Sequence, residues 1–383
     1  MSGLAIWSFV LFAVCIAHGL VIMAWIAGFR RIASMSDLPF AKSGAMPFIS
    51  MIIPVRNAGG TIGPLLQDLH AQRSPTVSME VVVIDDHSED ATHAIVSSMC
   101  TSWPYLRVLR LNNGTGKKAA ISAGVATAQG DLVLLTDADG RCGPDRLNRL
   151  AEHWLRTKAD LILMPVRTLG TGTAITWLQE IEQAALLGVA AGSAACNMPL
   201  LANGANMAVT RQAFNAVHGF AGDDWASGDD QSLLERIGGS GRAVSYLLHP
   251  DVVVDVEAEP DSRSFLSQRL RWAGKMRAPG RIGGSVLVLL ALLLPWALFI
   301  TTVVAVVQLD IGEGLLRVWL LLIGAWFLWS LPLARILGEA QRFLGTTRRV
   351  PSTLPAMAAF FTYAPLIAIS SLFVRPRWKG RRV

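Results

Sequence analysis

Three acidic pairs combine residue types and spacings that can do chemistry. Asp85 and Asp86 end the run "EVVVIDD", Asp137 and Asp139 end "DLVLLTDAD", and Asp229 and Asp230 stand in "SGDDQSLLERI" before a short apolar-periodic stretch. In an extended segment residues two apart point to the same side, so Asp137 and Asp139 can reach one hard cation together while Ala138 faces away. Carboxylate oxygens suit Mg2+ or Mn2+, and such an ion would in turn hold a diphosphate. For the late pair a simple structural reading competes with a chemical one: Ser227, Asp229 or Asp230 could cap the helix that Leu233, Leu234 and Ile237 predict. The stretch "NNGTGKKAAI", Asn112 to Ile121, opens a helix with a Gly-rich turn. Lys117 and Lys118 there suit an anionic phosphate, although a loop with solvated lysines has the same pattern. The spacing is not that of a P-loop, so an ATPase is not supported.

Such groups need a scaffold that brings distant segments to one edge. "FISMIIPV" and "EVVVIDD" are short continuous β-branched runs, as expected of parallel strands covered on both faces, and "TIGPLLQDLHAQ" between them is helical in period. "KKAAISAGVATAQ" leads into "DLVLLTDAD", and "DLILMPV" continues the alternation. The pattern predicts an α/β domain over residues 47–280, long enough to bury one core. Ligands of open parallel sheets bind at the carboxyl ends of strands, where Asp85, Asp86, Asp137 and Asp139 fall.

With 52% hydrophobic and only 16% charged residues among 383, and a net charge of +6, the chain is too apolar for an ordinary soluble protein. Its mean hydropathy of +0.43 agrees. The run Gly3 to Phe29 has the length of a bilayer span, holds no Lys, Arg, Asp or Glu, and ends in Arg30 and Arg31. A signal peptide would carry its charge first, so residues 1–30 read as a retained anchor, with the domain on the cytoplasmic side of a bacterial inner membrane. Ser285 to Leu309, Gly314 to Ala334 and Leu354 to Phe373 predict two to three further spans within 285–375, followed by a basic tail at 376–383. Pro351, Pro355 and Pro365 also make the last of these compatible with a re-entrant segment. The loop with Arg335, Arg342, Arg348 and Arg349 and the tail "RPRWKGRRV" both favour the inside, and three spans cannot seat both there. Four scattered cysteines indicate neither zinc nor a disulfide framework, and no aromatic and basic interleaving suggests nucleic acid.

Taken in order, "PVRNAGGTI", "VVVIDDHSEDAT", "GTGKKAAISAGVATAQGDLVLLTDADG", "LANGANMAVTRQAFNAVHGF", "SGDDQSLLERI" and "QRLRW" resemble the family 2 glycosyltransferases of GT-A fold. The likeness is greatest to membrane-embedded members related to cellulose and hyaluronan synthases and ceramide glucosyltransferases, and covers roughly residues 48 to 277. The resemblance implies a GT-A catalytic domain with a Rossmann-like, mostly parallel sheet. It also implies inverting transfer of a sugar from a nucleotide diphosphate donor, a UDP-sugar by expectation, with Mg2+ or Mn2+. On this reading Asp85 and Asp86 bind base and ribose beside Pro54 and Arg56, while Asp137 and Asp139 hold metal and diphosphate with Lys117 and Lys118 near the phosphates. Asp230 is the general base beside Asp229, and Gln268, Arg271 and Trp272 form the Q-x-x-R-W motif near acceptor and diphosphate. Trp272 offers a face for a sugar ring or serves as an interfacial anchor. One departure stands out: Ala58 follows Arg56 and Asn57 where the family often has glutamate.

The acceptor is expected to be a membrane lipid or a glycan. "WLQEIEQAALLGVAAGSAACNMPLL" is mildly amphipathic and rich in small residues, which suits either a lipid-facing helix or a buried core helix. Two alternatives stand beside lipid glycosylation. A processive polysaccharide synthase would need a channel, for which so few spans leave little room. A catalytically silent scaffold would have lost its acids, and every acidic motif here is filled.

Overall fold

The computed structural model describes residues 3–36, 45–73, 77–223, 228–274, 282–307, 313–346, 353–374, 377–378 and 381–382. In chain order the strands of the globular region are β1 (Ile49–Val55), β2 (Met79–Asp85), β3 (Leu106–Arg110), β4 (Leu132–Thr136), β5 (Arg141–Cys142), β6 (Leu161–Leu163), β7 (Val166–Leu169), β8 (Asn206–Thr210), β9 (Val244–Tyr246) and β10 (Val254–Glu257). The helices are α1 (Gly3–Ser36), α2 (Ile62–His70), α3 (Thr92–Cys100), α4 (Lys117–Thr127), α5 (Arg146–Thr157), α6 (Ala174–Ala195), α7 (Arg211–Ala216), α8 (Asp229–Gly239), α9 (Ser262–Gly274), α10 (Ile282–Val307), α11 (Glu313–Phe343) and α12 (Thr353–Phe373).

Seven strands form one sheet in the order β3-β2-β1-β4-β8-β6-β9, in which β8 alone runs against its neighbours. The two-residue period of a strand sorts the side chains between two cores. Ile52, Val82, Ile84, Val133, Leu135, Met207 and Val209 enter one, and Met51, Ile53, Val81, Val83, Leu132, Leu134 and Ala208 enter the other. The expected strand "DLILMPV" is two strands, because Pro165 has no N–H to continue a ladder. Before it β6 joins the large sheet, and after it β7 joins a small sheet of order β5-β10-β7. The edge strand β3, with Arg107 and Arg110 among its apolar residues, is the kind that alternation alone misses.

The first core does not stop at the domain. Besides α4 and α8 it takes in Phe29 of α1, Leu337 and Ala340 of α11 and Ala356 of α12, with α6 lying between sheet and anchors. Small residues let these helices approach closely. A Cβ added at Gly192 would lie 2.6 Å from Trp25 Cβ, one at Gly28 2.8 Å from Ala195 Cβ, and one at Gly188 3.0 Å from Ile336 Cγ1. The segment "WLQEIEQAALLGVAAGSAACNMPLL" is therefore a core helix, and its composition gives no support to a lipid-facing role.

Among the described residues three helices are long and apolar enough to cross a membrane, Gly3–Ser36, Leu315–Phe343 and Thr353–Ser371, and α10 adds the shorter apolar stretch Leu292–Val307. The anchor helix runs past the expected end at residue 30, with Ile32 and Ala33 packed on the domain core. Arg335 and Arg342, expected in a loop, lie on the last turns of α11, where Glu339 pairs with Arg30 and Arg342. Phe12 lies beside Gly324, Gly19 beside Leu328, and Arg30 beside Glu339, so α1 and α11 run parallel and carry their basic ends to the same side. Pro365 lies inside α12, which is one continuous helix. Residues 376, 379, 380 and 383 of the basic tail lie outside the described residues, as do Arg348 and Arg349.

The close approach of α6 to α1 gives a direct test. Gly192→Leu is expected to force the helices apart and destabilise the protein by about 1–3 kcal/mol, read as a lower melting midpoint in detergent. Gly63→Ala, whose Cβ would meet only Ile95 at 3.9 Å, should leave the midpoint unchanged or raised.

Candidate active site

The parallel register of β1 and β2 places Val55 beside Asp85, so the turns after these strands are neighbours. Arg56 reaches across, donating from Nη1 to the Asp86 carbonyl at 3.2 Å, with Nη2 3.5 Å from Glu89. Both acids of the first pair are buried. Asp85 accepts from the Ser88 N–H at 2.9 Å, and its other oxygen lies 3.2 Å from His93 Nδ1. Asp86 faces His87 Nδ1 at 3.0 Å and accepts from the Gly116 N–H at 2.9 Å. Gly116 precedes α4 with φ 94°, a conformation that favours glycine, and so ties the strand end to the helix that carries the lysines. Pro54 sits one residue before the end of β1, in register with Ile84.

The two lysines turn to different partners. Lys118 Nζ lies 2.6 Å from Asp223 Oδ1, and Asp223 also accepts from Ser232 of α8 at 2.5 Å. Lys117 Nζ stands 2.7 Å from Asp137 Oδ1 and 3.2 Å from Asp229 Oδ2, joining the second and third acidic pairs through one ammonium. Burial alone would lower the Lys117 pKa. The charges of Asp137, Asp229 and Asp230 outweigh it and hold the value well above that of an ordinary lysine.

The late pair is not a helix cap. The N-cap of α8 is Gly228, in a left-handed conformation, and Asp229 and Asp230 occupy the first turn, where carboxylates favour the positive end of the helix dipole. Ser227 lies outside the described residues. Asp230 accepts from the Gln231 N–H at 2.8 Å and from the Gly204 N–H at 3.4 Å. Gly204 precedes β8, and because that strand is reversed, Asn206 pairs with Thr136 and the loop falls beside Asp137. The approach needs a missing side chain: a Cβ on Gly204 would lie 2.9 Å from Asp229 Oδ2 and 3.0 Å from Lys117 Nζ.

Asp137 and Asp139 are not on an extended strand as expected, since β4 ends at Thr136. The Gly140 N–H then closes a turn on the Asp137 carbonyl at 3.3 Å, and Ala138 packs against the second core. Both acids bear electrostatically on Arg271, as does Glu259; burial lowers the arginine's pKa while the three carboxylates oppose it. Among the described residues no three His, Cys, Asp or Glu side chains could hold a metal by themselves. The donor set nevertheless fits a hard divalent cation that takes one or two carboxylates and completes its shell with ligand phosphates. Asp137, Asp229 and Asp230 act on the Lys117 ammonium, and Asp137 and Asp139 on the Arg271 guanidinium.

The Q-x-x-R-W residues lie on α9. Gln268 donates to Glu259 at 2.9 Å, and the Trp272 ring lies 4.2 Å from the Arg269 guanidinium carbon, so one neighbour of that ring is already a cation. Arg269 itself, absent from the sequence reading, is buried and paired with buried Glu182 of α6 at 2.6 Å. The signal for it was the polar cluster Gln179, Glu180, Glu182 and Gln183 in a helix otherwise rich in small and apolar residues.

A mostly parallel sheet with its acids at the carboxyl edge, joined to apolar helices, is a GT-A-type α/β domain on a membrane anchor. Residues 50–217 match the family model Glycosyl transferase family 2, so the chain carries a domain of that family. Over 244 residues the chain is 28% identical to the beta-monoglucosyldiacylglycerol synthase of Synechocystis sp., an alignment covering 61% of this chain and 48% of that protein. Over 106 residues it is 37% identical to the undecaprenyl-phosphate 4-deoxy-4-formamido-L-arabinose transferase of Aeromonas hydrophila subsp. hydrophila, covering 27% of this chain and 32% of that protein. The chain thus spans about half the length, or less, of these curated relatives. In fold it is similar to the mannosyltransferase PcManGT from Pyrobaculum calidifontis, solved with GDP-Man and Mn2+, with a TM-score of 0.53, 20% identity and coverage of 92% of this chain and 99% of that one.

Removing the shared ammonium should separate its two roles. Lys117→Met is expected to destabilise the metal-free protein by about 1–3 kcal/mol, since Asp229 would be left buried without its cation. Mn2+ should then raise the melting midpoint by more than it does in the parent protein. An equal Mn2+ shift in both would show that the lysine and the metal do not compete for Asp137.

Proposed function

We propose that the protein is an inverting glycosyltransferase that moves a sugar from a nucleoside diphosphate sugar, a UDP-sugar as the first choice, to a membrane lipid. The observation that carries this reading is the meeting at Lys117 of Asp137, from the metal and diphosphate pair, with Asp229, from the pair that supplies the base. Segments far apart in sequence meet there at one cation, as a reaction at a diphosphate-linked carbon requires. Support for a lipid acceptor comes from relatives whose names are those of lipid glycosylating enzymes, and from a domain core continuous with the apolar helices. The Arg30 and Arg31 flank supports a cytoplasmic domain at the inner membrane.

In this reading Asp230 takes the proton of the acceptor hydroxyl as its oxygen bonds to the anomeric carbon. The bond from that carbon to the diphosphate oxygen breaks, its electron pair leaves with the nucleoside diphosphate, and attack from the opposite side inverts the centre. The Gln231 and Gly204 N–H groups fix the plane of the Asp230 carboxylate. Asp229 holds Lys117, and Arg271 adds a fixed positive charge beside Asp137 and Asp139. A divalent cation, when bound, would be held by Asp137 and Asp139 and would offset charge on the departing diphosphate. Asp85, Asp86 and Arg56 form the nucleoside end, and Gln268 and Trp272 the acceptor end.

The test is to offer detergent-purified protein a panel of nucleotide sugars with bacterial lipid extract, measuring nucleoside diphosphate release and the anomeric configuration of the product. No turnover with any donor would leave the scaffold reading. Asp230→Asn keeps size but removes the proton acceptor, so turnover should fall by a factor of about 10² to 10⁴ while nucleotide affinity stays nearly unchanged. Activity retained in Asp230→Asn but lost in Asp229→Asn would move the base to the other member of the pair. Asp139→Ala, or chelation of the parent protein, should weaken nucleotide binding; affinity indifferent to chelator would remove the metal from the scheme.

A further inference from the structure

Among the described residues five that are not glycine adopt a left-handed backbone. Three are explained by helix ends, where this conformation is the ordinary closure: Lys158 is the C-cap of α5, and Asn197 and His218 directly follow the C-caps of α6 and α7. The other two, Asn57 with φ 46° and His87 with φ 58°, close no helix. They follow β1 and β2, adjacent strands, at the edge where Asp85 and Asp86 stand.

Asn57 has a local reason for its conformation. Its N–H donates to Ser88 Oγ at 3.0 Å, its side-chain oxygen accepts from the Glu89 N–H at 2.8 Å, and asparagine tolerates this region well. His87 lies in a turn that the Ser88 N–H closes on Asp85 Oδ1 at 2.9 Å. Glycine would adopt the same turn without strain, so what the position holds beyond glycine is an imidazole. That ring is anchored at one nitrogen, with Nδ1 3.0 Å from Asp86 Oδ1, while the other oxygen of Asp86 accepts from Gly116. The Asp86 side chain is only 4% exposed and that of His87 is 50% exposed, so the ring carries the polar surface of this strand edge outward beside Asp86. When Nδ1–H donates to the carboxylate, Nε2 is left as an acceptor on the exposed edge.

We propose that His87 is a donor-binding residue whose Nε2 accepts a hydrogen bond from the nucleoside part of the sugar nucleotide, a base N–H or a ribose hydroxyl. The inference rests on the reading of the protein as an enzyme that uses nucleoside diphosphate sugars. It accounts for the retained strain: the backbone conformation aims a ring that Asp86 then orients.

The experiment uses the full-length protein in detergent with Mg2+, comparing His87→Gly and His87→Asn with the parent. Melting midpoints are measured together with titrations of UDP, GDP and inorganic pyrophosphate. The midpoints serve to show that both variants fold. Loss of the hydrogen bond should weaken whichever nucleoside diphosphate the parent binds by roughly 5- to 10-fold in both variants, with pyrophosphate binding unchanged. A glycine variant that binds nucleotide as tightly as the parent overturns the proposal, and so does an equal loss of nucleotide and pyrophosphate. If the parent binds neither UDP nor GDP, the glycosyltransferase reading itself fails, a result visible before any variant is made.

Discussion

The ammonium of Lys117 stands between Asp137 and Asp229, and the rest of the site is organised by that fact. Like charges a few ångströms apart in a partly buried cleft repel strongly, so the second and third acidic pairs can be neighbours only if something positive lies between them. Gly116 starts α4 where its first residue can reach both, Gly204 leaves the space a side chain would occupy, and the reversed strand β8 delivers that glycine to the edge of β4. The first acidic pair is linked to the same device, because Asp86 holds the N–H of Gly116. Three motifs separated along the chain are thereby mechanically joined through one helix terminus.

A second buried ion pair does for the membrane side what Lys117 does for the cleft. Glu182 and Arg269 connect α6 to α9, and Arg269 is flanked by the rings of Phe265 and Trp272. Such a pair is weak evidence for stability but strongly specifies registry, since removing either partner strands the other. Here the registry set is that of the helix carrying Gln268 and Arg271, relative to a helix packed between sheet and anchors.

Much of this was legible in the residues. The strands β1, β2 and β4 and the helices α2 and α4 were readable because their runs are apolar, short and bounded by turn residues, and the acids stood out because they come in pairs at strand ends and at a helix start. What failed did so for physical reasons. The strand period was carried one turn too far at Asp137, where the chain had already left the sheet. Pro165 split one strand into two, and the charged edge strand β3 did not look apolar enough. Composition could not distinguish a lipid-facing α6 from a core α6, because small residues serve both, and only packing decides. Partners such as Asp223 for Lys118, or Glu182 for Arg269, are long-range facts that no local pattern encodes.

The continuity of the first core from Val133 and Met207 through α6 to Phe29 and Leu337 has a consequence for how acceptors are chosen. Arg31 holds the Ala195 carbonyl, Arg156 donates to the Met35 carbonyl at 2.8 Å, and Arg167 to the Leu344 carbonyl at 3.0 Å, so the domain is bonded directly to the apolar helices. A tethered domain can lower or raise its cleft to meet molecules of different reach. A domain packed on its anchor holds its cleft at a more constant height, so on the lipid-acceptor reading proposed above an acceptor anchored in the bilayer would be sorted by how far its hydroxyl projects, before any contact with the cleft tests what it is.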